Sequence, residues 1–365
     1  MVSIEMALRC RGLVVETATT DDDIVGRIAP SLYKQRIVEG DAVRVYFHRS
    51  LNFYKVAWSF VPWIVREVRR YDAVHIHALF SFTSVVAAWA ARRAGVPYVI
   101  RPLGVLGHYG LARRRKGLKT LSLRFIEGPL VRDAAAVHFT STAERDEALS
   151  LGLSMRPVVV PLGVPIGGEF DGRRLFGDLM VGRAPAQLLF LSRIDRKKNL
   201  EGVIGALALL RRAGKFALLR VGGTGDGAYI RHLKRLARTE GVSDQIRWLG
   251  HMTGSAKADL LAESDIFVLA SFSENFGISV VEALAAGLPC VVGRGVAVSG
   301  QISNAGAGIV VDTDATSIAG GIAHYLASAE RRAKAAEAGR ALAQQEFSVG
   351  IMGERLAALY QSIRR

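Results

Sequence analysis

The feature that most constrains the fold is an alternation of short strand-like runs and helical runs along almost the whole chain. A first series of strand-like runs covers residues 13–17, 43–47, 73–77, 98–100, 135–139 and 158–160. A second series covers residues 188–191, 217–221, 246–249, 266–269, 290–292 and 309–311. Such alternation favours parallel sheets that are covered by helices on both faces. Two series therefore predict an α/β fold with two doubly wound, Rossmann-like domains.

The stretch between the two series predicts the domain boundaries. Residues 166–185 are rich in Gly, Asp and Arg and have weak hydrophobic periodicity, which is typical of a linker. We expect a first domain over 1–165, a second over 186–347, and a last helix over 348–365. Because ligands of open α/β sheets bind beyond the carboxyl ends of the strands, functional residues are expected in the loops that follow strands.

Length and composition exclude several classes of protein. The chain has 365 residues, which is enough for two buried cores. No apolar run approaches the roughly 18 to 20 residues that a membrane span needs, and the opening residues lack the apolar core of a signal peptide. Cys10 and Cys290 have apolar sequence neighbours and are predicted to be buried thiols in a reducing compartment. These features favour a cytoplasmic protein.

The net charge of +15 predicts an anionic partner. Nucleic acid, anionic lipid and phosphorylated substrates would all satisfy this charge. The densest basic run extends from Arg113 to Lys116 and precedes an amphipathic stretch that contains Leu121 and Phe125. Such a run is typical of attachment to a membrane surface, although the solvated end of a helix has the same composition.

The strongest candidate site lies around a helix that is expected to begin near Phe276. The backbone amides of Asn275, Phe276 and Gly277 have no helical partner there and suit an anionic or hydroxyl-rich ligand. Glu274 and Glu282 are two turns apart and can address two parts of one ligand. Alternatively, Glu274 is an acid favoured by the helix macrodipole and Glu282 is a solvated helix residue.

A second candidate site is the loop before the first helix of the second half, which Asn199 is expected to cap. Four cations occupy this loop, and like charges at one sheet edge repel each other unless an anion compensates them. Arg193 is suited to hold a diphosphate through parallel hydrogen bonds from its planar guanidinium, and Lys198 through the point charge of its ammonium. The alternative is a group of basic residues without function at the N-terminus of the helix, where the helix macrodipole disfavours cations.

A glycine-rich loop over 221–228 contains a weak match to the dinucleotide-binding fingerprint. The next strand ends in Gly250 and His251, and not in the acid that a nicotinamide ribose requires. A loop that lets the backbone approach a phosphate therefore fits better than a complete nicotinamide site.

In the first half, candidate residues follow two neighbouring strands. His75 and His77 close one strand, and we expect them to face opposite sides of it and so to form no paired metal site. Arg101 follows the next strand, and His108 lies in a glycine-flanked loop. These residues are candidates for lining a cleft, whereas ordinary strand-end structure is the alternative for the two strand histidines.

These motifs resemble the GT-B glycosyltransferases of family four, a retaining group that uses nucleotide-sugar donors. The run SENFGISVVEALAAGLPCVV is similar to that family's segment with two glutamates, and SRIDRKKNL is similar to its diphosphate loop. VGGTGDG is similar to its glycine loop, and the LGHM segment to its donor-base strand. The resemblance covers nearly the whole chain and implies a GT-B fold in which two domains face a cleft.

The resemblance also implies roles for the candidate residues. Glu274 would contact the transferred sugar, while Arg193 and Lys198 would neutralise the leaving diphosphate as the other catalytic residues. Glu282 would bind the ribose. The donor-binding residues implied are Glu282, Asn275, Phe276, Gly277, Gly223, Thr224 and Gly250. The acceptor-side residues implied are His77, Arg101 and His108.

The first half resembles members that build bacterial surface polysaccharides on lipid-linked or growing-chain acceptors. Many relatives carry a histidine where Leu103 stands in this chain. A mechanism in which the departing diphosphate deprotonates the acceptor does not need that histidine. The helix over 348–365 resembles the segment that returns to the first domain.

The sequence therefore predicts a retaining, metal-independent glycosyltransferase of cell-surface polysaccharide assembly, peripheral at the inner face of the plasma membrane. Its partners would be a nucleotide-diphosphate sugar and a lipid-linked or polysaccharide acceptor on an anionic membrane, with no further cofactor and no nucleic acid. One alternative is an N-terminally truncated nucleotide-sugar-binding protein with little or no turnover. Another is a nucleotide-dependent oxidoreductase.

The start of the chain carries a further expectation. Residues 2–12 resemble the second half of a helix ended by Gly12, with Ile4, Ala7 and Leu8 facing inward. The first predicted strand would then match the family's second strand, with no residues left for the first. Losing a central strand costs more than the usual free energy of unfolding of a domain, which is about 5–15 kcal/mol. We therefore expect about 25 to 35 further residues upstream. Without them, a loosened first domain and impaired catalysis are expected.

Overall fold

The structure is a computed structural model that describes residues 2–21, 30–40, 42–107, 116–166 and 185–364. The chain divides into two compact units. Unit 1 comprises Met1–Pro161 and Gly350–Arg365, and unit 2 comprises Leu162–Val349. Most of the predicted linker over 166–185 lies outside the described residues, as do His108 and the run from Arg113 to Arg115.

Strands and helices are numbered along the chain. The strands are β1 Glu16–Thr20, β2 Arg36–Glu39, β3 Ala42–Phe47, β4 Val74–His77, β5 Tyr98–Arg101, β6 Ala136–Phe139, β7 Pro157–Val159, β8 Ala186–Leu191, β9 Ala217–Gly222, β10 Ile246–Gly250, β11 Ile266–Leu269, β12 Cys290–Gly293 and β13 Gly308–Val311. The helices are α1 Val2–Arg9, α2 Phe60–Glu67, α3 Phe82–Ala94, α4 Lys116–Ser122, α5 Gly128–Asp133, α6 Thr142–Leu149, α7 Leu200–Arg212, α8 Gly227–Thr239, α9 Gly254–Ala262, α10 Ile278–Ala285, α11 Ser299–Ala305, α12 Ala315–Leu326, α13 Ala329–Glu346 and α14 Val349–Ile363.

Unit 2 contains one six-stranded parallel sheet with the order β10-β9-β8-β11-β12-β13. Its central strands are continuous apolar runs; every residue of β11 is buried, as a strand covered on both faces requires. The direction in which the sheet grows reverses between β8 and β11. In doubly wound sheets this switch point is where ligands bind, so a ligand of unit 2 is expected at the loops after β8 and β11.

The described residues of unit 1 form two separate sheets. One has the parallel order β4-β5-β6-β7, and the other has the order β1-β3-β2 with β2 antiparallel. Among the described residues, β1 forms a ladder only with β3, and β4 forms one only with β5. The single doubly wound sheet expected for this half is therefore divided here. The expected first strand upstream of β1 stays a prediction.

Helices α1 and α14 pack together within unit 1. Ile4, Ala7 and Leu8 are buried, which confirms the predicted inward face of α1. The two helices approach closely because Gly353 has no side chain: a Cβ there would lie 2.5 Å from the Ala7 carbonyl oxygen. Near the other end of α14, the Tyr360 hydroxyl lies 2.7 Å from a ring nitrogen of His75.

The prediction for the two cysteines is half wrong. Cys290 is buried, and burial raises the pKa of its thiol. Cys10 is exposed, because it follows the last turn of α1 at the surface. In the part of the chain that the structure describes, no helix combines the length and the apolar character needed to cross a membrane.

Candidate functional site

The loop after β8 is held in place by Asn199. This residue adopts a left-handed conformation (φ 55°), and its side chain accepts a hydrogen bond from the Gly202 amide, which confirms the predicted helix cap. Its amide nitrogen also donates to the carbonyl oxygens of Ala270 (3.1 Å) and Thr313 (2.7 Å). Asn199 therefore ties the loops after β8, β11 and β13 together at the carboxyl edge of the sheet.

Lys198 and Glu274 meet at the switch point between β8 and β11. Lys198 is buried, with 6% of the residue exposed, and its ammonium donates to the Glu274 carboxylate and forms an ion pair with it. The Glu274 backbone is fixed because its amide donates to Gly295 (2.8 Å) and its carbonyl accepts from Ala297 (3.0 Å). Two residues that are 76 positions apart in sequence, both predicted as site residues, are thus in direct contact.

The expected repulsion among the loop cations is wrong for this structure. Lys198 is balanced by Glu274, and Arg196 lies 3.7 Å from the Glu201 carboxylate and stacks over the ring of Tyr229. Arg193 is exposed and forms no hydrogen bond or ion pair within the described chain. The chain thus supplies counter-charges for part of this loop, and Arg193 keeps its guanidinium available.

The loop before α10 offers backbone donors. The helix begins at Ile278, two residues later than predicted, because Gly277 takes a left-handed conformation (φ 89°) that is not helical. The amides of Phe276 and Gly277 donate to no acceptor among the residues described. The Phe276 side chain is buried and packs edge-to-face on Phe347, with ring centroids 5.8 Å apart. The Phe276 ring therefore anchors the loop, and only the Phe276 backbone is available to a ligand.

Glu282 lies on α10 and pairs with a lysine that the sequence analysis missed. The Lys257 ammonium on α9 donates to the Glu282 carboxylate at 2.7 Å, and the Glu282 side chain is 16% exposed. No sequence signal connects the two residues, because they lie on different helices and only the fold brings them together. Both glutamates of the predicted site therefore have a lysine partner in unit 2.

The glycine loop after β9 runs in contact with the loop after β8. A Cβ at Gly223 would lie 1.8 Å from the Ser192 carbonyl oxygen, and the Gly223 amide donates to Gly250 (2.6 Å). The Ile194 amide donates to Thr224 (2.8 Å). The close approach of two backbones therefore accounts for Gly223 without any ligand. Thr224 and Gly250 are exposed beside it.

In unit 1 the predicted arrangement of the two strand histidines is wrong. The rings of His75 and His77 stack with centroids 4.4 Å apart, because residues two apart on a strand point to the same face. His138 of β6 lies on this face too, with its ring 5.3 Å from that of His75. No group of three or more His, Cys, Asp or Glu side chains in the described part of the chain is arranged to hold a metal ion.

Hydrogen bonds fix the tautomers of two of these histidines. The Val160 carbonyl can only accept, so Nε2 of His138 donates to it (2.8 Å). Nδ1 of His138 then accepts from Nε2 of His75 (3.3 Å), and Nδ1 of His75 accepts from the Tyr360 hydroxyl. Burial lowers the pKa of His138 to about 4 and holds the pKa of His75 well below its ordinary value, so that both rings are neutral near pH 7.

Arg101 lies beside His77, its partner in the ladder between β4 and β5. It is 7% exposed, and its Nε has no hydrogen-bond partner. Burial lowers the pKa of the Arg101 guanidinium, while the negative charge of Glu144 opposes that shift. The structure therefore brings two of the predicted acceptor-side residues together; the third, His108, lies outside the described residues.

The comparisons with known proteins identify the class. Residues 181–342 match the family described as Glycosyl transferases group 1, and residues 6–163 match the Glycosyl transferase 4-like domain. The chain belongs to the group 1 glycosyltransferases, which confirms the resemblance, and its solved structural neighbours have the predicted GT-B fold. Membership of this family argues against the oxidoreductase alternative.

Individual proteins match this chain at low sequence identity. Glycogen synthase of Mycobacterium tuberculosis is 28% identical over 66% of this chain, and the match spans 60% of that relative's length. Phosphatidyl-myo-inositol mannosyltransferase of Mycobacterium leprae is 23% identical over 100% of this chain and 92% of its own length. The crystal structure of Anabaena HepE in complex with UDP-glucose superposes with a TM-score of 0.71 at 17% identity, covering 95% of this chain and 99% of HepE.

Proposed function

We propose that the chain transfers a sugar from a nucleotide-diphosphate sugar to a lipid-linked or polysaccharide acceptor, with retention of configuration and without a metal ion. The observation that carries this proposal is the contact between Lys198 and Glu274 at the switch point of unit 2. The free amides of Phe276 and Gly277 follow Glu274 in the same loop. Cation, carboxylate and amides together suit a ligand that has both anionic and hydroxyl groups.

Donor binding would replace the Glu274 carboxylate by the diphosphate as the partner of Lys198. A diphosphate carries more negative charge than one carboxylate, so it competes with Glu274 for the ammonium. Glu274 is then free to accept a hydroxyl of the transferred sugar, and Arg193 adds a second cation from the exposed side of the loop. Glu282 accepts hydrogen bonds from the ribose hydroxyls.

The chemical step follows from this arrangement. The bond between the sugar's anomeric carbon and the diphosphate oxygen breaks, and a new bond forms from that carbon to the acceptor hydroxyl oxygen on the same face. The acceptor's proton moves to the departing diphosphate. Lys198 and Arg193 stabilise the charge that develops on the diphosphate, which is the work a metal ion would otherwise do.

The acceptor proposal draws on the relative from Mycobacterium leprae, whose name specifies a phosphatidyl lipid acceptor. HepE, whose structure holds UDP-glucose, supports the donor class. We extend the proposal to cell-surface polysaccharide assembly by a protein that is peripheral at the inner face of the plasma membrane. Leu121, Phe125 and Ile126, which follow the basic run in the sequence, are exposed and support this placement.

The transfer proposal is tested with the purified chain and a panel of UDP-, GDP- and ADP-sugars. We expect one donor to raise Tm, and to be consumed in the presence of membrane-extracted lipid acceptors with EDTA in the buffer. NMR of the product should show the donor's anomeric configuration. Binding without consumption of donor would favour the alternative, a nucleotide-sugar-binding protein. Loss of transfer in EDTA would contradict the metal-independent mechanism.

The membrane proposal is tested by flotation with vesicles that contain anionic phospholipid. Roughly 1 kcal/mol per cation near such a surface predicts release when Arg113, Arg114, Arg115 and Lys116 are all replaced by Gln. A matched variant of unit 2 replaces the exposed cations Lys215, Arg231, Arg235 and Arg238 by Gln. Equal flotation of the two variants would show that the basic run is only a solvated helix end.

A further inference from the structure

Unit 1 presents a polar face at the carboxyl edge of the sheet β4-β5-β6-β7. His77 ends β4, Arg101 ends β5, and the two residues are partners in the parallel ladder. Residues paired in this way point to the same face of a sheet. The stacking of His77 on His75 places three side chains of this face next to one another.

The charge of Arg101 has no counter-charge within hydrogen-bonding distance. Among the described residues the Arg101 side chain forms no ion pair and no hydrogen bond, although only 7% of the residue's surface is exposed. The negative charge of Glu144 acts on Arg101, but the Glu144 oxygens already accept from the amides of Gly104 (2.7 Å) and Thr140 (2.8 Å) and from the Thr140 hydroxyl (2.8 Å). A buried cation in this state is costly to the fold.

His77 is the second unsatisfied group on this face. Its Nδ1 is buried without a hydrogen-bond partner, and the described structure contains no hydrogen bond to either ring nitrogen. His75 and His138, by contrast, are bound to one another, to Tyr360 and to Val160. Of the three histidines, His77 alone therefore keeps its hydrogen-bonding capacity beside Arg101.

We propose that Arg101 and His77 bind a phosphate group. An arginine fork donates two parallel hydrogen bonds to phosphate oxygens, and the imidazole on the adjacent strand reaches a third oxygen. The anion supplies the counter-charge that Arg101 lacks. The assignment of this phosphate to the acceptor rests on the proposed function. The acceptor is then a phosphorylated lipid or a lipid-linked glycan.

The first test is the stability of the ligand-free chain. We expect Arg101→Met to raise the Tm of the chain, because the substitution removes an uncompensated buried charge, whereas Arg93→Met at an exposed position should leave Tm unchanged. If Arg101 has only a structural role, Arg101→Met lowers Tm, and the proposal is overturned. Arg101→Lys, which keeps the charge without the fork, serves as a second variant.

The second test is phosphate binding in the Lys198→Ala background, where the diphosphate loop of unit 2 is disabled. Titrations use inorganic phosphate, geranyl phosphate and acetate. We expect geranyl phosphate to bind more tightly than inorganic phosphate, and Arg101→Gln to weaken both at least tenfold while Arg93→Gln has no effect. Tighter binding of inorganic phosphate than of geranyl phosphate would overturn the lipid source, and equal binding of acetate would overturn the phosphate assignment.

A third measurement separates this proposal from the proposed function. In the otherwise unaltered chain, Arg101→Gln should leave the Kd for UDP or GDP unchanged and raise the KM for a phosphorylated acceptor. A loss of nucleotide affinity would assign the face to the donor and overturn the acceptor assignment. Phosphate binding that depends on Arg101 in a chain without transfer activity would support the site while contradicting the proposed function.

Discussion

The two units differ in how far the charges of their site cations are compensated. In unit 2, Lys198 and Lys257 each form an ion pair with a glutamate of the same site. In unit 1, Arg101 is buried without an ion pair in the described structure, and the neighbouring histidines are kept neutral by burial. In the proposed binding modes, a diphosphate in unit 2 displaces Glu274 from Lys198, whereas a phosphate in unit 1 supplies the counter-charge that Arg101 lacks.

This difference predicts opposite consequences of removing a cation. Truncating one partner of a buried pair leaves the other charge uncompensated and destabilises the fold. Removing Arg101 should instead stabilise the chain, since no partner is left behind. Residues that weaken the fold in the absence of ligand are typical of binding sites.

The largest expected effect is that of Lys198→Ala on turnover. Because the ammonium would meet charge that develops on the leaving diphosphate, its removal should lower kcat by on the order of a hundredfold or more. Lys215→Ala, at an exposed position of the same unit, is the matched control. A decrease of less than threefold for Lys198→Ala would mean that the ion pair with Glu274 is only structural.

The histidine cluster of unit 1 predicts that stability decreases in acid. The pKa of His138 is about 4 in the folded chain against an ordinary value of 6.5. As the pH falls, the unfolded chain binds a proton on His138 at a higher pH than the folded chain does. The free energy of unfolding is therefore highest above pH 6.5 and decreases by about 3 kcal/mol for this residue as the pH falls towards 4. Urea unfolding of unit 1 between pH 7.5 and 4.5 measures this loss.

Two variants make the acid prediction specific. His138→Gln should give a shallower decrease of unfolding free energy with falling pH, because the substitution removes the buried titrating ring. His251→Gln, at an exposed position of unit 2, should leave the decrease unchanged. Identical pH dependence in the two variants would contradict the assignment.

A smaller effect is expected for Glu282→Gln. A neutral amide loses charge-assisted acceptance from the ribose hydroxyls, so free nucleotide and nucleotide sugar should both bind more weakly by about 1.5–3 kcal/mol. Calorimetric titration with each ligand measures the change, and the exposed Glu337→Gln is the control. Unchanged affinity for the free nucleotide would remove Glu282 from the ribose.

The sequence was most informative where local pattern determines local structure. Continuous apolar runs predicted buried strands such as β11, and the position of Asn199 before an apolar helix predicted its cap. The inward face of α1 followed from the spacing of Ile4 and Leu8. Each of these inferences depends on residues that are close together in sequence, where backbone geometry fixes which side chains share a face.

The sequence was least informative where two distant elements determine a contact. The pairing of Lys257 with Glu282 requires two helices to be placed side by side, and the pairing of His77 with Arg101 requires the register of two strands. The carbonyl of Ser192 explains why Gly223 has no side chain, which the sequence pattern could not reveal, and the donor-binding role of Gly223 stays a prediction. Charge compensation likewise depends on tertiary contacts, so the repulsion expected among the loop cations was wrong.

The most direct test of the account is the affinity of Glu274→Gln for UDP or GDP, measured by calorimetry with and without Lys198→Ala. If the diphosphate replaces Glu274 as the partner of Lys198, Glu274→Gln should cut turnover while binding free nucleotide at least as tightly as the unaltered chain. The same substitution should change affinity by less than about twofold once Lys198 is Ala, because coupling vanishes when one partner is absent. A loss of nucleotide affinity in Glu274→Gln as large as that in Lys198→Ala would contradict the account.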